Sequence, residues 1–187
     1  MAPEDTSLRV GVYLIGIVQF LDVAPVDLFS CLSREYLQDT PLPQPVKDLA
    51  IEVTIKYITP TGPSPTDPTS PVTAQTALKV DHSIRDPEVQ PGSFDVLMIP
   101  GPPPSKQYSE EELGFLRRHW NDGKGATIIS VCTGIYPVAA AGICDGRSVT
   151  GPRGLMSELK SKYSKASWED KRWVRDASGK LDRKSVV

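Results

Sequence analysis

The stretch Ala126-Thr127-Ile128-Ile129-Ser130-Val131-Cys132-Thr133-Gly134-Ile135-Tyr136-Pro137-Val138-Ala139-Ala140-Ala141-Gly142 decides how the rest of the chain is read. An apolar, β-branched run ends on a cysteine. Two small or hydroxylated residues follow, and then a helix-forming run begins. This is the pattern of a nucleophile elbow, in which a strand enters a helix through a sharp turn that exposes one side chain. Gly134 admits close approach of neighbouring backbone at the turn. Backbone N–H groups at the start of the helix point towards the Cys132 sulfur, which predicts a thiol shifted towards thiolate.

A lone cysteine on an apolar strand is more often a core residue than a reactive one. What separates Cys132 is its flanking pattern. Cys31 follows Leu28-Phe29 on a helical face, and Cys144 lies in Gly142-Ile143-Cys144-Asp145-Gly146 at a helix end. Both are read as structural. Three cysteines without close pairing do not make a disulfide framework. The net charge of -2 gives no basis for a nucleic-acid or anionic-membrane surface. No apolar run is long enough to span a bilayer. The start Met1-Ala2-Pro3-Glu4-Asp5-Thr6 is polar and acidic, unlike a secretory signal. The expectation is a soluble, cytoplasmic protein of one domain, residues 1–187, with 1–7 as a flexible N-terminus. No His, Cys or carboxylate cluster has metal-ligand spacing, and no glycine-rich phosphate loop is present, so neither metal nor cofactor is expected.

Working outward from the elbow, Leu8–Ile15 reads as the first strand and Gly16–Ala24 as a loop. A helix starts at Pro25 and continues over Val26–Leu37. Thr40–Pro45 breaks the chain, and Leu49–Ile58 is a strand. Thr59–Pro71, rich in Pro, Ser, Thr and Gly, reads as an exposed loop and a tolerated insertion. Leu78–Ile84 reads as a short strand or hairpin arm. Phe94–Pro102 is a second buried strand ending in a turn. Ser109 and Glu112 form a capping box for a helix that runs through Trp120. Beyond the elbow come a short strand at Arg147–Thr150, a helix over Gly154–Tyr163, and strand pieces at Ala166–Trp168 and Arg172–Arg175. Apolar strands alternating with helices predict an α/β fold: a three-layer α/β/α sandwich with a mostly parallel, flavodoxin-like sheet. Ligands of such sheets bind beyond the carboxyl ends of the strands. The loop after the first strand, Pro100-Gly101-Pro102 and Cys132-Thr133 converge there.

The segments Leu21-Asp22-Val23-Ala24-Pro25, Phe94–Gly101, Ser130-Val131-Cys132-Thr133-Gly134, Ala140-Ala141-Gly142, Asp145–Thr150 and Trp173-Val174-Arg175-Asp176 occur in an order that resembles the ThiJ/PfpI family of the class I glutamine amidotransferase-like superfamily. Ser130–Gly134 is the specific element and is most similar to the branch containing isocyanide hydratases. The resemblance implies that Cys132 is the nucleophile and Asp22 the acid near it; the competing Asp27 falls within the helix pattern and is read as surface. It implies that Thr133 offers its amide to an oxyanion, with Gly101 and Gly134 completing the oxyanion and binding turn.

The chain also departs from the family pattern. Pro102 stands where a second glycine would supply an N–H. Gly151-Pro152-Arg153 stands where a histidine commonly follows the strand, which argues against a Cys-His dyad. His82 is assigned no role, and His119, near a helix C-terminus, a structural one. After Leu181 the sequence Asp182–Val187 supplies neither an apolar strand nor an amphipathic helix, so residues 182–187 are expected to be an off-pattern tail and the pattern to be truncated.

The implied activity is cofactor-independent, cysteine-dependent chemistry on a small-molecule electrophile, foremost hydration of an isocyanide to an N-formamide. The alternatives are a glyoxalase- or deglycase-like activity on 2-oxoaldehydes, and a non-catalytic, redox-responsive or degenerate relative. A homodimer is left open.

Overall fold

A computed structural model describes residues 6–121, 125–175, 177 and 181–184. Side chains of the first strand, β1 (Ser7–Tyr13), alternate between two cores, as period-2 backbone requires. Val10, Val12 and Leu14 enter one core; Tyr13 and Ile15 enter the other. Gly11 leaves room for Phe94, whose ring a Cβ would meet at 2.9 Å.

Four short helices follow: α1 (Phe20–Val23), α2 (Pro25–Ser30), α3 (Arg34–Gln38) and α4 (Gln44–Lys47). Strand β2 (Glu52–Thr59) leads to a hairpin of β3 (Thr69–Val72) and β4 (Thr76–Lys79), then to β5 (His82–Ser83) and β6 (Val96–Ile99). Helix α5 (Glu110–Asn121), strand β7 (Thr127–Val131) and helix α6 (Ile135–Ala140) make the central αβα passage. The chain continues through β8 (Ser148–Val149), α7 (Met156–Lys162), β9 (Ser167–Trp168), β10 (Trp173–Arg175) and β11 (Leu181–Lys184).

Seven strands form the main sheet in the order β10-β11-β7-β6-β1-β2-β5. All neighbours are parallel except the edge pair β10 and β11. From β1 the chain proceeds outward to β2 on one side, while β6 and β7 lie on the other. The strand order therefore reverses between β1 and β6, and a crevice opens at their carboxyl ends. One sheet face packs Phe115, Leu116, Tyr136, Val138 and Leu159 of α5, α6 and α7. The other packs Val23, Val26 and Val72 from α1, α2 and the hairpin. This is the expected three-layer, flavodoxin-like α/β sandwich.

The capping box is present: Ser109 Oγ accepts from the Glu112 amide at 3.2 Å, and the Ser109 amide donates to Glu112 Oε2 at 2.6 Å. Four local expectations are corrected. The helix predicted over Pro25–Leu37 is two helices, because Ser33 caps the second by accepting from the Tyr36 amide and bridges to Ile51. The end of the predicted exposed loop Thr59–Pro71 belongs to β3, where Ser70 and Val72 are buried. Ser7, placed in a flexible N-terminus, opens β1; residues 1–5 lie outside the described residues. Finally, 182–184 is not an off-pattern tail, since Leu181–Lys184 pairs in parallel with β7 and antiparallel with β10. A polar sequence takes this place because β7 would otherwise present a row of unpaired backbone groups. Residues 185–187 lie outside the described residues.

Candidate active site

Cys132 sits at the sharpest backbone feature of the elbow. Its φ is 53°, in the left-handed region that side chains rarely adopt. The turn Cys132–Gly134 is a short 3-10 segment between β7 and α6. Gly134 is required by packing, since any Cβ there would run into the backbone carbonyl oxygen of Ile99. Strain at an over-determined turn of this kind is a common device for presenting a reactive side chain.

Two further loops meet the elbow. The Gly101 amide, just past β6, donates to Asp22 Oδ2 at 3.0 Å. The Gln19 amide donates to the Gly101 carbonyl at 3.0 Å, so the two loops clasp each other on both sides of Gly101. The Thr133 hydroxyl donates to the Pro102 carbonyl at 2.7 Å. A Cβ at Gly101 would collide with both Thr133 Oγ1 and the Asp22 carboxylate. The β3–β4 hairpin supports this junction from outside: the Thr73 amide donates to the Val18 carbonyl at 3.0 Å, and Thr73 Oγ1 accepts from the Phe20 amide at 2.9 Å.

Asp22 is therefore buried at 2 % exposure against Cys132, whereas Asp27 is on the surface. Thr133 and Gly134 are buried beside them. The amide of Gly101, expected to serve an oxyanion, is instead committed to Asp22. Gln19 was not singled out by the sequence, because an isolated glutamine in a loop has no pattern around it. The Cys132 thiol donates to Gln19 Oε1 at 3.6 Å.

A cleft of about 380 Å³ opens above the thiol, within the size range of small-molecule sites. Gln19, Leu21, Asp22 and Cys132 line it together with Gly151–Gly154 and Asp170–Arg172. No histidine lines it. His119 is buried elsewhere, its Nε2 2.9 Å from the Val89 carbonyl and its ring edge-on to Phe115. His82 is paired with Asp86. Cys144 is buried, and Cys31 lies near Tyr36, away from the cleft. Among the described residues no group of three His, Cys, Asp or Glu side chains is placed to hold a metal ion. Among the same residues no helix is long and apolar enough to cross a membrane.

Residues 31–180 match the DJ-1/PfpI family. The chain belongs to the DJ-1/PfpI family. The match contains Gly101, Cys132, Thr133 and Gly134; Asp22 and Gln19 precede it. A deglycase from Thermococcus kodakarensis is 27% identical over 109 residues, covering 57% of this chain. The match spans 63% of that deglycase's own length. Among solved structures, a DJ-1 superfamily protein from Agrobacterium tumefaciens has a TM-score of 0.68 at 17% identity, over 95% of this chain and 81% of that one. Schizosaccharomyces pombe DJ-1 has a TM-score of 0.64 at 12% identity, over 96% of this chain and 84% of that one. At these identities the structures establish the shared fold.

The electrostatics of this DJ-1/PfpI site run against the expectation of a preformed thiolate. Burial pushes the Asp22 carboxyl up to about 6, although hydrogen bonds from the Gly101 amide and with Cys132 draw it down. Burial also pushes the Cys132 thiol up, and the adjacent Asp22 charge adds to that; hydrogen bonds from Thr133 oppose both. The helix-start amides are thus outweighed. At neutral pH the arrangement is a thiol beside a carboxylate that can take its proton.

Proposed function

We propose that this DJ-1/PfpI protein is a cofactor-independent, cytoplasmic enzyme in which Cys132 adds to a small carbon electrophile while Asp22 carries the proton. Isocyanide hydration is the reaction that fits best. One observation carries this reading: the carboxyl of Asp22 is buried against the Cys132 thiol and oriented by the Gly101 amide.

In the proposed sequence the Cys132 sulfur attacks the terminal carbon of the isocyanide as the thiol proton passes to Asp22. Asp22 then delivers that proton to the same carbon, leaving a thioimidate, R–N=CH–S–Cys. Water adds to the carbon, its hydroxyl staying there and its proton going to nitrogen. The C–S bond breaks, the hydroxyl proton returns through Asp22 to sulfur, and the N-formamide leaves. No oxyanion accumulates in the first addition. That suits a turn in which the Gly101 amide is occupied by Asp22 and Pro102 has no N–H to offer.

The similarity to a deglycase favours a second reading, addition of Cys132 to a 2-oxoaldehyde to give a hemithioacetal. That route places charge on a carbonyl oxygen, for which the Thr133 amide is the remaining donor of the expected turn. Incubation with an aryl isocyanide and with methylglyoxal, following formamide and lactate respectively, separates the readings. Formamide production that disappears in Cys132→Ser and Asp22→Asn supports hydration. Lactate alone moves the assignment to the 2-oxoaldehyde reaction. Absence of both products leaves a non-catalytic, oxidisable family member.

A further inference from the structure

Three cationic side chains, Arg153, Lys171 and Arg172, line the cleft, and the fold holds their backbone in place. The buried Thr150 hydroxyl donates to the Lys171 carbonyl at 2.7 Å, and the Glu169 amide donates to the Val149 carbonyl at 2.8 Å. Arg172 follows directly and leads into β10, so its backbone is fixed on both sides. Arg153 pairs with Asp170 at 2.7 Å, with side chains 74% and 63% exposed. Lys171 pairs with Glu169 at 2.5 Å. Arg172 is exposed and makes no ion pair among the described residues.

Exposed pairs such as Arg153–Asp170 are weak and exchange readily with a competing anion. An unpaired guanidinium at the rim of a cleft is a fork suited to a carboxylate. With Asp22 counted as the carboxylate it is at neutral pH, the lining side chains Asp22, Arg153, Asp170, Lys171 and Arg172 still leave one net positive charge.

We propose that the cleft selects an electrophile bearing a carboxylate, which Arg172 binds, with Arg153 as the second cation, while the reactive carbon faces Cys132. The inference rests on Cys132 being the reacting group and names the substrate class of the reaction proposed above. It does not depend on which electrophile is turned over.

Alkylation tests it without turnover. Iodoacetate and iodoacetamide differ in charge, and each transfers its CH2 carbon to sulfur with loss of iodide. Rates at Cys132 are measured by mass spectrometry at pH 7.5 and low salt, with the uncharged thiol 2-mercaptoethanol as the reference. The iodoacetate-to-iodoacetamide ratio at Cys132 is expected to exceed that of the reference by about five-fold, the effect of one charge pair at about 4 Å in water. It should collapse towards the reference in 1 M NaCl and in Arg172→Gln, and fall partly in Arg153→Gln. A wild-type ratio at or below the reference, or one unmoved by salt, overturns the proposal; the salt titration needs no variant. A retained anion preference without isocyanide or 2-oxoaldehyde turnover keeps the subsite and removes the proposed reaction. Turnover of a neutral isocyanide without anion preference does the reverse.

Discussion

Gly101 and Asp22 are 79 positions apart in the chain, and the amide of the first donates to the carboxylate of the second at 3.0 Å. That bond uses an N–H of the turn expected to stabilise an oxyanion, and spends it on holding an acid against Cys132. It also explains why position 101 is glycine: a side chain there would displace Asp22 and Thr133 together.

Asp22 should leave a signature in the pH dependence of stability. Burial raises its carboxyl from the usual 3.8 to about 6, so the folded chain holds this proton more tightly than the unfolded chain. The contribution is fully present below about pH 4 and is lost as pH rises through about 6. Its full size is on the order of 2–3 kcal/mol. Asp22→Asn, which cannot ionise, should therefore gain on wild type as pH rises from 4 to 7. Thermal melts across that range check it, and a constant difference between the two proteins would show that Asp22 titrates normally.

Reactivity and turnover should respond to Asp22→Asn in opposite directions. The Asp22 charge helps to hold the Cys132 thiol up, so its removal moves the alkylation profile of Cys132 to lower pH. Turnover should nevertheless fall by about 10²–10⁴, the usual range for a lost acid–base group. Asp27→Asn, on the surface, should change neither. An alkylation profile in Asp22→Asn identical to wild type would remove the acid from the mechanism.

Glycine substitutions should rank by what their Cβ meets. Gly134→Ala drives a methyl into the Ile99 carbonyl, which belongs to the central sheet and cannot yield. A loss of about 3 kcal/mol or more, or failure to fold, is expected. Gly101→Ala meets first the side chains of Thr133 and Asp22 and only then, at 3.0 Å, the Thr133 amide nitrogen, so stability should fall less than in Gly134→Ala while turnover collapses. Gly154→Ala meets nothing within 4 Å and should be stable. Denaturant midpoints of the three variants give the order directly, and equal midpoints would contradict it.

The hairpin should matter to the site although it carries no reacting group. Thr73→Val deletes the acceptor for the Phe20 amide and keeps the side-chain shape. A loss of about 1 kcal/mol is expected, the usual net value of one hydrogen bond. Because Phe20 starts the helical turn that holds Asp22, turnover should fall further than stability. A variant with reduced stability and full turnover would show that the hairpin supports the fold and not the site.

The elbow was legible because its signal is local. A β-branched run, a cysteine, a glycine and an apolar helix dictate a strand, a turn and a helix at fixed spacing, and Cys132 occupies the turn with φ 53°. The apolar runs in Leu8–Ile15 and Phe94–Ile99 likewise dictate central strands buried on both faces, and from parallel strands the site must lie beyond their carboxyl ends. The placement of Asp22 was reached through family resemblance; its partner, the Gly101 amide, was not, because a sequence cannot state where a backbone donor will point.

Three features were decided only by tertiary structure. Leu181–Lys184 carries one apolar residue in four, yet it lies inside the sheet, because the edge of β7 offers backbone groups that any sequence able to extend can satisfy. Ser70 lies in a proline-rich run that looks solvated and Val72 just after it, yet both are buried, and Val72 bridges to Val18 in the loop after β1. The state of the Cys132 thiol also depends on surroundings distant in sequence. The helix start favours thiolate, but burial and the Asp22 charge are stronger and act only once the loops have closed. Local pattern determined which residues form strands, turns and helices. Long-range pairing and desolvation, which depend on what each group meets after folding, decided which of those residues act together.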